Sequence, residues 1–140
     1  MTTHTQGQDW GMTCNSFNTV SLDPALVLWS IRKTSLSHAA FIQSGGYMVN
    51  VLGAHQKDLA LKFATGTQQE RFAHQQVMRG SNLYPRLEGV VAWFDCRIAQ
   101  VVSAGDHDIL VGEVLAFGGQ AGHGLAYAQR SFGVLAALDD

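Results

Sequence analysis

The sequence predicts a mainly β domain in which a barrel-like sheet is interrupted by short helices. Three observations predict it. Across residues 90–98 the even positions Val90, Ala92, Phe94, Cys96 and Ile98 are all apolar, while Asp95 and Arg97 fall on the other face. That is a long, half-exposed strand of period two. Residues 109–117 (ILVGEVLAF) return as its antiparallel partner after a turn at Ala104-Gly105-Asp106. Two shorter runs rich in branched and aromatic residues, 25–31 (ALVLWSI) and 47–52 (YMVNVL), read as further strands, the first of them buried.

The other elements follow in chain order. Residues 1–9 are polar and fit a tag, a loop or the tail of a strand. From Trp10 the chain turns small and polar through Ser21, and Asp23-Pro24 then imposes an extended or turned break. Thr34 or Ser35 can cap a helix through His38 and Phe41, which Gly45-Gly46 stops. Residues 56–64 read as a short helix with Leu59 and Phe63 one turn apart. Thr67 and Glu70 have capping-box spacing and open a helical turn around Arg71 and Phe72. Glycine-rich residues 118–124 form a loop, and residues 125–127 add an edge strand.

The 140 residues have the size of one domain, 1–140, with no visible linker or repeat. A content of 46% hydrophobic and 14% charged residues is apolar, which suggests surface covered by another subunit. The net charge of −2 supplies no field for nucleic acid or an anionic membrane. No apolar run reaches the ~18 residues of a membrane span, and no signal peptide opens the chain, so a cytoplasmic location is the default. Cys14 and Cys96 lack paired spacing and read as small buried hydrophobes, with no metal site implied.

Four segments could carry chemistry. Arg32-Lys33-Thr34-Ser35 lies between a buried strand and a helix start, where amides, hydroxyls and a cation can cradle a phosphate. The same residues fit a plain capped helix with two solvated cations. Residues 11–21 line an extended backbone with short donors and acceptors, suited to a heterocycle or ribityl chain, or to a surface strand. Asn50, inside an apolar strand, requires partners from the backbone or from a ligand. His107 between Asp106 and Asp108 reads as a solvated hairpin turn rather than a metal site. No P-loop, G-x-G-x-x-G, G-x-S-x-G or H-E-x-x-H pattern occurs.

Taken in order, GMTCNSFNTVSLDPALVLWSI, RKTSLSHAAF, YMVNVL, ERF, LEGVVAWFDCRIAQVVSAGDHDILVGEV and GLAYAQRSFGVL resemble the flavin reductase-like family over residues 11–135. The resemblance implies a split β-barrel of the FMN-binding type that forms a homodimer and holds flavin in a groove near the subunit interface. It places Met12, Thr13, Cys14, Asn15 and Ser16 along the flavin. It assigns Ser30, Lys33, Thr34 and Ser35 to the ribityl and phosphate end, with Asn50, Arg71 and Phe72 approaching the cofactor. His107, Arg130 and Phe132 fall on the nicotinamide side. Family members carry a helix and most of a strand before the position of Met1. On that comparison the N-terminal helix and part of the first strand are missing here, with Met1-Thr2-Thr3 as the strand's tail. Ser131-Phe132-Gly133 stands where many relatives have an aromatic–histidine pair, which weighs against a C-terminal proton donor.

The activity implied is NAD(P)H-dependent reduction of FMN or FAD, with NADH or NADPH as hydride donor and a partner monooxygenase receiving the reduced flavin. In such chemistry the cofactor supplies the reactivity and the protein supplies position, so no catalytic nucleophile or acid–base residue is expected. A non-reductase electron carrier or cofactor-binding module of the same fold is the alternative.

Overall fold

The computed structural model of the chain describes residues 1–137. Its centre is one antiparallel sheet of seven strands in the order β2-β1-β5-β8-β9-β4-β3. These strands are β1 (Thr2–Thr5), β2 (Gln8–Gly11), β3 (Asn18–Leu22), β4 (Ala25–Arg32), β5 (Gly46–Val51), β8 (Ala92–Ala104) and β9 (His107–Gly119). Two small hairpins stand outside it, β6 (Val77–Arg79) with β7 (Pro85–Leu87), and β10 (Ala126–Ala128) with β11 (Ser131–Gly133). The helices are α1 (His38–Ser44), α2 (Lys57–Thr65) and α3 (Gln68–Phe72).

Period two decides the core. Val27, Trp29 and Ile31 of β4 point inward and meet Tyr47 and Val49 of β5, Cys96 of β8, Leu110 of β9 and Phe41 of α1 in one buried cluster. Because β4 and β5 are separated by two strands in the ladder, this contact means that the sheet curls around its own inner face. Burial pushes the Cys96 thiol up to about 12, with help from the neighbouring Asp95 charge, so it is an inert core residue as its sequence predicts. A second cluster of Phe63, Leu87 and Val90 fixes α2 beside β7.

The long hairpin is confirmed and extended, since β8 and β9 each run for 13 residues. Phe94 and Ile98 pack against the core and Cys96 lies within it, as their period predicts. Asp95 does not follow the expectation of an exposed face. It is 6% exposed, because the β6–β7 hairpin and the loop after β6 cover that face. The turn at Asp23-Pro24 joins β3 to β4, with Leu22 opposite Ala25. Gly45 stops α1 in the left-handed conformation, at φ 74°.

Three expectations need correction. Residues 1–9 contain a strand hairpin turned at Gln6 and Gly7. Thr2 and Thr3 on it are buried, the first donating to Pro85 O at 2.6 Å and the second to Gly46 O at 2.8 Å. Polar composition hid that strand, because threonine keeps β propensity and its hydroxyls find their acceptors only on distant segments. The helix α1 starts at His38 after Ser37, not at Thr34 or Ser35. Residues 33–37 form turns instead, with Ser35 N donating to Arg32 O and the Ser35 hydroxyl accepting from Ser37 N. Residues 125–127 contribute to the separate β10–β11 hairpin and not to an edge of the main sheet. The helix expected at 56–64 is α2, and the capping box at Thr67 and Glu70 is formed in both directions.

One ion pair ties the small β6–β7 hairpin to the sheet edge. Arg79 grips both oxygens of Asp9 at 2.8 and 2.6 Å, and His4 Nδ1 lies 2.7 Å from Asp9 Oδ1. Burial acts to raise the Asp9 carboxyl, but hydrogen bonds from Arg79 and His4 outweigh it and hold it below its ordinary value. A carboxyl depressed in the folded state stabilises above its unfolded pKa of about 3.9 and loses that contribution as pH falls through the folded value. Arg79→Gln therefore lowers stability by about 0.5–1 kcal/mol at pH 7. In urea titrations at decreasing pH, most of the gap to wild type closes in strong acid.

Candidate functional site

Between β5, α2 and the β10–β11 hairpin lies a cavity of about 570 Å³. Residues 12–15 and Phe17 form one wall. Val49, Asn50, Val51 and Leu52 form the next, and residues 59–61, 63 and 64 of α2 form the third. Leu125, Tyr127 and Phe132 close it from the C-terminal side. Among the described residues, no charged side chain stands on this wall.

The residues 12–17 are irregular yet tightly held. Met12 and Met1 exchange backbone hydrogen bonds at 2.9 Å in each direction. Thr13 donates its N–H to Phe63 O at 3.3 Å and its hydroxyl to Ala60 O at 2.6 Å. The Ser16 hydroxyl both accepts from Ser30 N at 3.0 Å and donates to Ser30 O at 3.1 Å. The segment thus spans from α2 to β4 with its own side chains used as ties. Gly11 permits its entry, since a methyl there would lie 2.5 Å from the Phe63 ring.

Asn50 is satisfied within the protein while lining the cavity. Its amide donates to Thr2 Oγ1 at 2.9 Å, and its carbonyl accepts from Leu87 N at 2.9 Å. Both bonds join β5 to its flanking elements. The C-terminal hairpin is attached through Leu125 N donating to Leu52 O at 2.8 Å and Ala54 N donating to His123 O at 2.8 Å. Tyr127 and Phe132 are paired across it with centroids 4.9 Å apart.

Among the sequence-predicted residues, Met12, Thr13, Cys14, Asn15, Asn50 and Phe132 stand on the cavity wall. Ser16 and Ser30 adjoin it through their mutual bonds. Arg71 and Phe72 are not on the wall. The Arg71 guanidinium donates to Gly66 O and Gly11 O, and Phe72 packs edge-on against Phe63 at 5.1 Å. Lys33, Thr34 and Ser35 occupy a separate polar corner at the end of β4. Lys33 Nζ donates to Ser103 Oγ at 2.6 Å and lies 4.0 Å from Asp108 Oδ1, while His38 Nε2 lies 2.7 Å from Asp108 Oδ2.

His107, Arg130 and Phe132 are not brought together within the chain. His107 pairs in register with Arg32, and Lys33 N donates to Asp106 O, so His107 sits at the polar corner. Arg130 is exposed in the β10–β11 turn with φ 62°. Sequence reasoning missed Phe17, Leu59 and Tyr127 on the cavity wall, and His38 and Asp108 at the corner. Tyr127 becomes legible only once residues 129–130 are known to be the turn. His38 and Asp108 are 70 positions apart and leave no local signal.

Residues 1–136 match the family model described as "Flavin reductase like domain". The chain belongs to that family. Within the flavin reductase-like family, it is 42% identical over 126 residues to the reductase component of the flavin-dependent trigonelline monooxygenase of Acinetobacter baylyi, covering 90% of this chain and 40% of that one. It is 40% identical over 123 residues to the FMN reductase (NADH) SmoA of Agrobacterium fabrum, covering 88% of this chain and 70% of that one. The NADH:FAD oxidoreductase SgcE6 of Streptomyces globisporus, solved with NAD and FAD fragments, superposes with a TM-score of 0.91 at 31% identity, covering 99% of this chain and 84% of that one. The fold is thus that of flavin reductases of the split-barrel type. The chain spans 40–54% of the length of the three curated relatives it matches first.

Asn50→Ala removes both bonds and leaves Leu87 N without its acceptor, while the Thr2 hydroxyl keeps its bond to Pro85 O. Its expected cost is about 1–3 kcal/mol in unfolding free energy, measured in urea without added ligand.

Proposed function

We propose that the chain is the flavin-binding domain of an NAD(P)H:flavin oxidoreductase that supplies reduced FMN or FAD to a partner monooxygenase in the cytoplasm. The observation that carries this reading is the uncharged cavity, whose volume lies in the range of cofactor sites. A neutral, planar ring system suits that wall. A phosphate does not, since no charged side chain among the described lining residues would balance its charge.

The residues fit flavin in two parts. Met12, Thr13, Cys14 and Asn15 would hold the ring with backbone groups and small side chains, and Asn50 would fix the floor. Tyr127 and Phe132 would cover the ring and keep water from it. The phosphate end falls to the corner where Lys33, Thr34 and Ser35 offer a cation and hydroxyls, with Ser16 and Ser30 between the two. His107, at that same corner, and Arg130 would meet the nicotinamide dinucleotide at its polar parts. When bound, the flavin supplies the hydride-accepting ring, and NADH or NADPH supplies the hydride. The protein's part is to align them and exclude solvent.

A homodimer accompanies this reading. Leu22 on the edge strand β3 is 97% exposed, and Leu115 and Phe117, two residues apart on β9, are 51% and 74% exposed. Apolar side chains left open on a sheet favour burial against a second copy.

Three measurements test the proposal. Anaerobic bleaching of FMN or FAD by NADH or NADPH should require the protein. Lys33→Ala should weaken FMN binding at least tenfold while leaving riboflavin, which lacks the phosphate, within twofold. Bound flavin that no nicotinamide bleaches would mean a carrier, and equal losses for both ligands would remove the phosphate assignment. In sedimentation, wild type should be a dimer and Leu115→Ser/Phe117→Ser a folded monomer; a monomeric wild type rejects the interface.

A further inference from the structure

The geometry points to a second binding site, for a small zwitterion bearing one ammonium and one carboxylate group, in a cavity that shares no residue with the first. This cavity, of about 200 Å³, lies between the β6–β7 hairpin and the outer side of β8 and β9. Its chemistry comes from Asp95, Arg86 and Trp93, with Met48 and Met78 as apolar walls.

Asp95 is the anomaly that defines it. The β8–β9 register slips between Asp95, opposite Ala116, and Cys96, opposite Val114, so Leu115 is left over. Such a bulge bends the strand and re-aims neighbouring side chains. The Asp95 carboxylate is 6% exposed and accepts one hydrogen bond among the described residues, from Asn82 Nδ2 to Oδ1 at 3.3 Å. Oδ2 accepts no hydrogen bond from the described residues and is not sealed from solvent, so a ligand donor can reach it from the cavity that Asp95 lines. Gly80 keeps the space before it open, since a methyl there would come within 3.2 Å of Oδ2.

Arg86 supplies the opposite charge. Its guanidinium lies over the Trp93 ring at 4.5 Å and donates to Met78 Sδ at 2.8 Å. Among the described residues no carboxylate lies within 4.0 Å of it, whereas Arg79 on the same wall is already held by Asp9. One anion and one cation therefore face a common cavity without pairing. A ligand that places its ammonium on Asp95 Oδ2 and its carboxylate on the free N–H groups of Arg86 satisfies both. The volume equals that of about six or seven waters at ~30 Å³ each, which limits the ligand to the size of a small α-amino acid. Gly118 keeps Trp93 in place as a wall, because a methyl there would lie 2.8 Å from the indole.

The test uses the full chain and L-alanine as probe, following the Trp93 indole N–H by NMR. Ethylamine and propionate, each carrying one of the two charges, are the controls. L-alanine should give a saturable shift, with either control at least tenfold weaker. Arg86→Gln should weaken L-alanine binding at least tenfold, with flavin bleaching within twofold of wild type, and Asp95→Asn should do the same. Should Asp95→Asn fail to fold, the wild-type titration and Arg86→Gln decide. No saturable shift with L-alanine, an equal response to either control, or undiminished binding in Arg86→Gln overturns the site. None of these outcomes bears on the flavin cavity, whose failure would show in the bleaching assay alone.

Discussion

Trp29 of β4 and Tyr47 of β5 meet edge-on at 5.8 Å although two strands lie between theirs in the ladder, and the curl that this contact demands organises the rest of the chain. Tyr47 reaches across by passing over Gly112 of β9, where a methyl would strike its hydroxyl and come within 2.7 Å of its ring. The hydroxyl then donates to Leu110 O at 3.2 Å, pinning β5 to β9 across the intervening strand. Trp29 also meets Phe41 edge-on at 4.8 Å, which seats α1 and so fixes where Gly45 hands the chain to β5. The arrangement has a cost, because Trp29 Nε1 is buried without a partner among the described residues. An orphaned donor costs about 1–3 kcal/mol. Burying an aromatic ring of about 150–250 Å² at roughly 25 cal/mol per Å² contributes more, so packing wins.

The curl separates two chemistries. Residues 12–17 leave β2, bond to α2 through Thr13 and reach β4 through Ser16, so residues 12–15 and Phe17 border the cavity. At the far end of β4 the same connection delivers the Lys33 corner, where Asp108 is shared between Lys33 and His38. A ligand with a neutral ring and an anionic tail matches this division better than one with charge at its centre. Charge placed in the cavity would be desolvated without a counter-ion.

Much of this was legible in the sequence wherever a pattern repeats locally. Strands β4, β5, β8 and β9 follow from period two or from branched apolar runs, α2 from the one-turn spacing of Leu59 and Phe63, and α3 and the stop of α1 from capping chemistry. What escaped depended on contacts between distant segments. Thr2 and Thr3 look like tail residues until Pro85 O and Gly46 O are there to accept their hydroxyls. Asp95 reads as solvent-facing because the β6–β7 hairpin that covers it is built from short strands with weak alternation. The start of α1 was misplaced because serine and threonine serve turns as well as caps, and Ser35 here bonds within a turn. For the site, the wall residues 12–15 and Asn50 were singled out, whereas the aliphatic face of α2 looked like ordinary core. The resemblance to the flavin reductase-like family puts Arg71 near the cofactor, yet its guanidinium donates to two backbone carbonyls.

The hydrogen bonds of the cavity wall bear on how it would recognise a ring. Thr13, Ser16 and Asn50 spend their side-chain groups on the fold, so they present fixed surfaces rather than free rotamers. Binding there loses little side-chain entropy and gains by shape and apolar contact, a preorganised mode. The corner works differently. Lys33 is a flexible cation, 40% exposed, whose attraction for an anion is screened by salt over a Debye length of about 8 Å at physiological ionic strength. Affinity for a ring there would depend on keeping residues 12–17 tied to α2 and β4 and would respond little to salt. Affinity for an anionic tail at the corner would depend on charge and weaken as salt rises. Those two dependences can be read separately, because the fold holds the two groups on different elements.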